Sequence, residues 1–217
     1  MNFTELSIIN CQLIPMSIKT KSILLIFIVL FIDQASKIYV KLNFTLGESV
    51  DVFGWFKILF IENNGMAFGM EIIGKLFLTL FRIGAVVALI FYIRNLIRKQ
   101  VRTAYILTIS LVLAGAAGNI IDSVFYGIFF SNSEYFTLAS FMQHGGGYAS
   151  LFHGKVVDML YFPIIKNGVG QTIFFSPIFN VADSAISVAV ALILIFFRKE
   201  LNESLETKKE QDVEPTN

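Results

Sequence analysis

The sequence predicts a mainly α-helical membrane protein, a four-transmembrane-helix bundle that carries a small sheet on its outer side. Hydrophobic residues make up 55% of the 217 residues and charged residues only 15%, and the mean hydropathy is +0.70. This composition excludes an ordinary soluble domain. Four segments approach the roughly 20 apolar residues that a membrane-spanning helix needs. The two long connections between them are rich in aromatic and turn-forming residues.

The four predicted spans cover residues 22–40, 72–97, 103–121 and 174–197. By itself the first could pass for the core of a signal peptide, because a short apolar run follows Lys19 and Lys21. No convincing small-x-small cleavage site comes after it, whereas three further spans do. We therefore predict a retained first helix whose outer end is polar.

The positions of lysine and arginine predict the orientation of the spans, because these residues concentrate in cytoplasmic segments. They precede the first span, fill the short connection between the second and third, and follow the fourth (Lys19, Lys21, Arg94, Arg98, Lys99, Arg102, Arg198, Lys199, Lys208, Lys209). Both termini should be cytoplasmic, and residues 41–71 and 123–173 should face outward. We expect a cytoplasmic segment over 1–21, a single membrane-embedded domain over 22–198 and a disordered cytoplasmic tail over 199–217.

Other features of the composition narrow the range of partners and cofactors. The net charge of +1 gives no indication of a nucleic-acid surface, and the single cysteine excludes an internal disulfide framework. His144 and His153 lie in one outer loop without the short spacing or clustered cysteines of a metal site. We therefore predict neither a metal nor another cofactor.

The two outer connections have different patterns. Residues 41–71 contain β-branched and aromatic residues in partial alternation with turn-forming Gly and Asn, which predicts a short sheet rather than a fifth helix. Residues 123–173 are aromatic but too often interrupted by Gly and charge to span a membrane, and they suit a cover at the membrane interface. The glycine-rich part of this cover, residues 145–154, predicts a hinged lid.

Polar residues are predicted at one level near the outer ends of the spans. Span one contributes Asp33 and Lys37, span three contributes Asn119 and Asp122, span four contributes Asn180 and Asp183, and the second outer loop contributes Asp158. The two Asn–Asp pairs have i, i+3 spacing, so each pair shares one helix face. Ionisable groups within a membrane are costly and usually functional. Several carboxylates should therefore converge near one membrane interface.

Two carboxylates in one site cannot both ionise cheaply, so such a pair can hold a single proton near neutral pH. A pair of this kind can activate water and protonate a leaving amine, as in aspartic proteases. The structural alternative is that these carboxylates form ion pairs with Lys37 or Arg82. A different functional alternative is a small proton-coupled transporter. That alternative predicts polar residues on both sides of the midplane, whereas the inner halves of spans two and four are uniformly apolar.

Five short motifs carry a resemblance to a known family. They are "DQASK" (33–37), "NNGMAFG" (63–69), "GAAGNIID" (115–122), "VVDM" (156–159) and "FNVAD" (179–183). In order and in their placement on the spans they resemble the lipoprotein signal peptidases, the type II signal peptidases of bacteria. The resemblance implies an intramembrane aspartyl endopeptidase of the inner membrane that cuts prolipoproteins just before a diacylglyceryl-bearing cysteine. It also implies an outer β-cradle over about 41–71, a lid over the site within about 123–173, and no cofactor.

The resemblance also implies roles for individual residues. Asp158 and Asp183 correspond to the catalytic dyad. Residues that bind substrate or support the dyad would be Asp33, Lys37, Asn63, Gly65, Asn119, Asp122 and Asn180. The partners implied are diacylglyceryl-modified prolipoproteins and membrane lipid, and we predict that the chain acts as a monomer.

The chain departs from the family pattern in two places. The family usually has Arg after the aspartate of the "GNxxD" motif, whereas this chain has Ser123. Arg82 in span two is one candidate substitute, and an outward-directed or ion-paired structural role is the alternative for it. The segment between Asp122 and Asp158 is also longer than expected, and its extra part includes residues 144–154.

Overall fold

The computed structural model describes residues 16–64, 72–142, 145–166, 172–174 and 177–211. The helices are α1 (Ile18–Asn43), α2 (Ile72–Arg98), α3 (Thr103–Ile121), α4 (Gly127–Phe129), α5 (Val181–Phe196) and α6 (Arg198–Gln211), and a π-helical turn (Asp122–Tyr126) joins α3 to α4. The strands are β1 (Ser49–Phe53), β2 (Phe56–Asn63), β3 (Val156–Tyr161), β4 (Ile165–Lys166), β5 (Thr172–Phe174) and β6 (Ile178–Phe179).

The helical framework matches the predicted bundle. Within the described residues, three helical segments are long and apolar enough to cross a membrane, namely Ile18–Asn43, Gly74–Arg98 and Thr103–Phe129. A fourth candidate span is α5, which meets the same criterion only together with the first part of α6 and is bent from it by 91°. The mainly helical membrane fold with a small antiparallel sheet is therefore confirmed.

Two predicted boundaries around the fourth span are wrong. The predicted span starts at residue 174, but the helix begins at Val181, because residues 172–174 and 178–179 are strands. A short apolar strand and a helical segment cannot be told apart by hydropathy alone. The predicted disordered tail is helical over residues 198–211. Its Glu, Lys and Leu residues have good helix propensity, and Lys199 and Glu203 form an i, i+4 pair.

The four-stranded sheet draws strands from both long connections between the spans. Its order is β1-β2-β3-β6, with every neighbouring pair antiparallel. Alternation along the strands gives β3 two different faces. Val157 and Met159 pack with Phe60 against the buried cluster of Val40, Tyr126 and Phe130, whereas Asp158 projects from the opposite face and accepts a hydrogen bond from Asn63 of β2. On that face Asp158 also accepts a hydrogen bond from Asn180, the residue at the start of α5.

The connection predicted over residues 123–173 contains regular structure at both ends of its first half. Residues 122–129 continue the third helical span, and residues 156–161 are the third strand of the sheet. Between them lies a segment that we call the strap, residues 145–155. Four of its backbone N–H groups donate to carbonyls at the outer end of the span, namely those of Ser123, Val124, Gly127 and Phe130, at 2.8–3.2 Å. These bonds attach the strap to the widened π-helical turn.

Helix α3 lies between α1 and α5, and glycine allows the close approach. A Cβ on Gly115 would lie 2.3 Å from the carbonyl oxygen of Ala182 on α5. A Cβ on Gly118 would lie 2.6 Å from Oδ2 of Asp33 on α1. Small residues permit such packing between membrane helices. The same contacts bring the polar residues of the three helices together.

Candidate active site

A buried polar layer joins α1, α3 and the start of α5, with Lys37 at its centre. Nζ of Lys37 lies 2.9 Å from Oδ2 of Asp33 and 2.8 Å from Oδ2 of Asp122, and it donates a 2.9 Å hydrogen bond to Oδ1 of Asn119. The Lys37, Asp33 and Asp122 side chains have no solvent exposure. A buried charge is tolerated only when it is paired and hydrogen-bonded. Here one ammonium offsets two carboxylates.

Two neutral side chains that sequence reasoning missed complete this layer. Gln34 donates from Nε2 to Oδ2 of Asp33 at 3.0 Å and to Oδ1 of Asp122 at 2.9 Å. Its Oε1 accepts a 3.1 Å hydrogen bond from the hydroxyl of Tyr126. Neither residue carries a charge that would have distinguished it in the sequence. Through these bonds Gln34 holds the two carboxylates at a fixed separation.

The start of α5 is held by carboxylates and an amide. Oδ1 of Asp33 accepts a 2.8 Å hydrogen bond from the backbone N–H of Ala182. Asn180 is the N-cap, and its Oδ1 accepts from the N–H of Asp183 at 2.9 Å, while Asp183 Oδ2 accepts from the N–H of Asn180 at 3.3 Å. These reciprocal bonds satisfy N–H groups that have no partner inside the helix. They also fix the direction of the Asp183 side chain.

Asn180 and Asn119 link the two candidate catalytic carboxylates. Nδ2 of Asn180 donates to Oδ1 of Asp158 at 2.7 Å and to Oδ1 of Asn119 at 3.1 Å. Nδ2 of Asn119 donates to Oδ1 of Asp183 at 2.7 Å. A continuous chain of hydrogen bonds therefore runs from one carboxylate to the other. Within it, each Asn orients one carboxylate.

Asp158 lies in an environment that favours its protonated form. It is only 2% exposed, and its Oδ2 has a long contact of 3.4 Å with Nδ2 of Asn63. Burial, and next the charge of Asp183, raise the pKa of Asp158 to about 6 against the hydrogen bonds from Asn180 and Asn63. A carboxyl that keeps its proton near neutral pH can act as a general acid.

The remaining residues singled out in the sequence have different positions. Ser123 is buried, and its Oγ donates a 2.9 Å hydrogen bond to the carbonyl of Asn119. Arg82 is on α2, the second span. His153 lies in the strap, where Nδ1 contacts Oγ of Ser150 at 3.0 Å. Gly65 and His144 lie outside the described residues.

Comparison with known proteins identifies the family. A sequence model of signal peptidase (SPase) II matches residues 25–199, which include every predicted site residue. The chain belongs to the signal peptidase II family. Membership of this family means that the chain is a peptidase. Its several apolar helices are those of a multi-pass membrane protein. Family membership argues against the transporter alternative.

Curated relatives and solved structures agree with this assignment. The lipoprotein signal peptidase of Porphyromonas gingivalis is 44% identical, over 88% of this chain and 92% of its own length. The lipoprotein signal peptidase of Amoebophilus asiaticus is 35% identical, over 84% of this chain and 79% of its own length. A bacterial membrane enzyme solved by the in meso method at 1.9 Å resolution is 27% identical with a TM-score of 0.59, and the match covers 82% of this chain and 93% of that chain.

Proposed function

We propose that this signal peptidase II is an intramembrane aspartyl endopeptidase with Asp158 and Asp183 as its catalytic dyad. It removes the signal peptide from prolipoproteins by cutting immediately before the cysteine that carries diacylglycerol. The observation that carries this proposal is the hydrogen-bonded chain Asp158–Asn180–Asn119–Asp183. The charge of Asp183 also raises the pKa of Asp158, and when two carboxylates interact in this way their titration belongs to the pair.

The environment of Asp122 favours a supporting role for that residue. Its Oδ1 accepts from Gln34, and its Oδ2 contacts Lys37 and the N–H of Val157. A carboxylate saturated in this way and held beside a buried ammonium has little capacity to exchange a proton with substrate. Among the described residues, Asp158 and Asp183 each have one strong bond at 2.7 Å, to Oδ1, and a longer contact to Oδ2. Their Oδ2 atoms are therefore the better candidates for chemistry.

The dyad would hydrolyse the peptide bond in two steps. The ionised carboxylate takes a proton from water as the water oxygen attacks the scissile carbonyl carbon, and the protonated carboxyl gives its proton to the carbonyl oxygen. The carboxyl that took the proton from water then gives it to the amide nitrogen as the C–N bond breaks, and the other carboxylate takes a proton from a hydroxyl of the collapsing tetrahedral intermediate, which restores the dyad. Asn119 and Asn180 keep the two carboxyl groups oriented throughout. These reaction steps require no metal ion.

The site lies where a lipid-anchored substrate can reach it. Asp183 is in the first turn of α5, close to where the chain enters the fourth span. The lysine and arginine distribution predicts that this end faces outward from the bacterial cytoplasmic membrane, with both termini inside. Acyl chains in the bilayer provide about 0.8 kcal/mol per buried CH₂ for positioning. We therefore propose that diacylglycerol on the cysteine places the scissile bond at the dyad.

The test of this function is cleavage by the purified protein in detergent. A prolipoprotein with the diacylglyceryl-modified cysteine and the same prolipoprotein without lipid are compared by gel shift, and mass spectrometry locates the cut. We expect cleavage before the cysteine in the lipidated form only. Equal cleavage of both forms would refute the lipid requirement, and cleavage elsewhere would refute the proposed specificity.

A further inference from the structure

The loop between α4 and the strap exposes an unusual amount of apolar surface. Phe136 is 95% exposed, and four more large apolar side chains of this loop are more than half exposed, namely Tyr135, Leu138, Phe141 and Met142. In water a contiguous patch of this kind marks an interaction site. We call residues 134–142 the apolar loop.

Both ends of the apolar loop are bonded to the ends of membrane-spanning helices. The N–H of Met142 donates to the carbonyl of Phe129, the last residue of the third span, at 2.8 Å. The N–H of Leu46, which follows shortly after the end of α1, donates to the carbonyl of Glu134 at 2.9 Å. The loop therefore bridges the points at which two spans end. This arrangement places it at the level of the membrane interface.

The surface of the loop is continuous with the lipid-facing surface of the third span. Phe125 and Phe129 are exposed on that span, and their rings stack at 6.2 Å between centroids. The ring of Phe129 lies 6.1 Å from that of Phe141. A row of three aromatic rings thus leads from the end of the third span to the apolar loop. Lipid that contacts Phe125 can contact the loop without interruption.

The base of the apolar loop is tied to the strand next to the dyad. Oγ of Ser133 lies 2.8 Å from both Oε1 of Glu62 and Nζ of Lys41, and Glu62 forms a buried ion pair with Lys41. Burial tends to raise the pKa of Glu62, but the Lys41 ammonium holds this pKa below its usual range. Glu62 immediately precedes Asn63, which contacts Asp158. The position of the loop along the membrane normal is therefore coupled to the position of the sheet.

We propose that the apolar loop is an interfacial anchor that inserts Phe136 and Leu138 into the headgroup region of the leaflet at this end of the bundle. Aromatic side chains are enriched at this depth of the bilayer. The continuity with the third span identifies phospholipid as the occupant rather than a second copy of the chain. The anchor holds the sheet, and with it Asp158, at a fixed distance from the bilayer.

The anchor can be tested by fluorescence because Trp55 is the only tryptophan in the sequence. In a Trp55→Phe background, Phe136→Trp or Leu138→Trp gives a single reporter in the loop, and Phe125→Trp gives a reference on the span. The full chain is placed in nanodiscs of phosphatidylcholine brominated near the headgroup or near the methyl end of the acyl chains. We expect both loop reporters to lose fluorescence most strongly with the shallow bromines and to resist quenching by aqueous acrylamide.

Two results would overturn the proposal. Loop reporters that acrylamide quenches and bromolipid does not would place the loop in water. Reporters shielded from both quenchers, with emission that changes with the protein-to-lipid ratio, would assign the loop to a contact between copies of the chain. The Phe125→Trp reference should be quenched by bromolipid in either case, because it reports on the span itself.

Discussion

At the scale of single residues, the site depends on an unequal balance of buried charge. Lys37 contacts both Asp33 and Asp122, and none of the three side chains reaches solvent. Removing one partner from a buried ion pair typically costs about 3–5 kcal/mol, because the other charge is left without compensation. Removing one of the two carboxylates still leaves Lys37 with a partner. The lysine should therefore be the more sensitive position.

The first prediction compares two lysines. Lys37→Met should lower the free energy of unfolding in detergent by about 3–5 kcal/mol, because two buried carboxylates lose the ammonium that they both contact. Lys57→Met is the matched control, since Lys57 pairs with the largely exposed Asp51 on the surface of the sheet. Surface pairs contribute about 0–1 kcal/mol. Equal destabilisation by the two substitutions, measured by thermal or denaturant unfolding, would contradict the buried network.

The second prediction concerns pH. Asn63 donates to the Asp158 carboxylate and so favours its ionised form. Asn63→Ala should raise the pKa of Asp158 further, and the pair should keep its proton to higher pH. The pH profile of kcat/KM reports the pKa values of the free enzyme. Its falling limb should then move to higher pH by up to about one unit. A limb that stays in place or moves to lower pH would show that Asp158 is not the group that titrates.

The sequence predicted charged residues that the structure brings together, but not the neutral groups that hydrogen-bond to them. Asp158 and Asp183 stand out because a carboxylate in an apolar segment is costly. Gln34 and Tyr126 are neutral, so only the structure reveals that they bridge Asp33, Asp122 and the π-helical turn. Lys37 was expected to support the site. Its simultaneous contact with two helices depends on packing that spacing along the chain does not specify.

At the scale of elements, the site depends on how closely α3 approaches α5. A methyl group on Gly115 would meet a backbone carbonyl at 2.3 Å and Cγ1 of Ile186 at 2.6 Å. A backbone carbonyl cannot move aside as the end of a flexible side chain can. The two helices would have to separate, which would also separate Asn119 from Asp183.

The third prediction follows from this contact. Gly115→Ala should destabilise the protein by about 1–3 kcal/mol, as overpacking generally does, and should reduce cleavage at temperatures where the protein remains folded. Gly84→Ala on α2 is the matched control, because nothing lies within 4 Å of the added methyl group. It should leave activity unchanged and stability equal or slightly higher, since Ala favours helix. Unaltered activity in Gly115→Ala would contradict the close approach.

Elements were predicted best where hydropathy alone defines them. The spans at 72–97 and 103–121 agree with α2 and α3 within one residue at each end. The outer part of the third span was missed, because a π-helical turn followed by α4 has no signature of its own in this stretch. The strap was expected to be a hinged lid on account of its glycines. At Gly154 the glycine instead permits packing, since a Cβ there would lie 2.0 Å from the carbonyl of Asp122.

At the scale of the whole molecule, the dyad is useful only on the side of the membrane where the substrate is processed. The fourth prediction is therefore topological. Reporter fusions after Gln100 and at the C-terminus should be cytoplasmic, and insertions near Ser49 and Gly146 should be external, because lysine and arginine concentrate on the opposite side. Accessibility is measured with a pair of reporters that are active in one compartment each. A cytoplasmic result at Gly146 would reverse the side on which Asp158 lies.

The central claim is tested most directly by the turnover of dyad variants with a diacylglyceryl-modified prolipoprotein. Asp158→Asn and Asp183→Asn should each abolish cleavage while the folded protein still binds substrate, because an amide keeps the shape but cannot shuttle the proton. The double variant should be hardly worse than either single one, since groups that act as a unit give non-additive losses.

Asp122→Asn is the comparison that decides the measurement. Because Asp122 is a supporting residue held by Gln34 and Lys37, the Asp122→Asn variant should lose only part of its activity, or should lose activity and stability together. The account predicts two inactive, folded dyad variants and a partly active Asp122→Asn. A folded but inactive Asp122→Asn, with substantial turnover retained in Asp158→Asn, would contradict it and assign the dyad to Asp122 and Asp183.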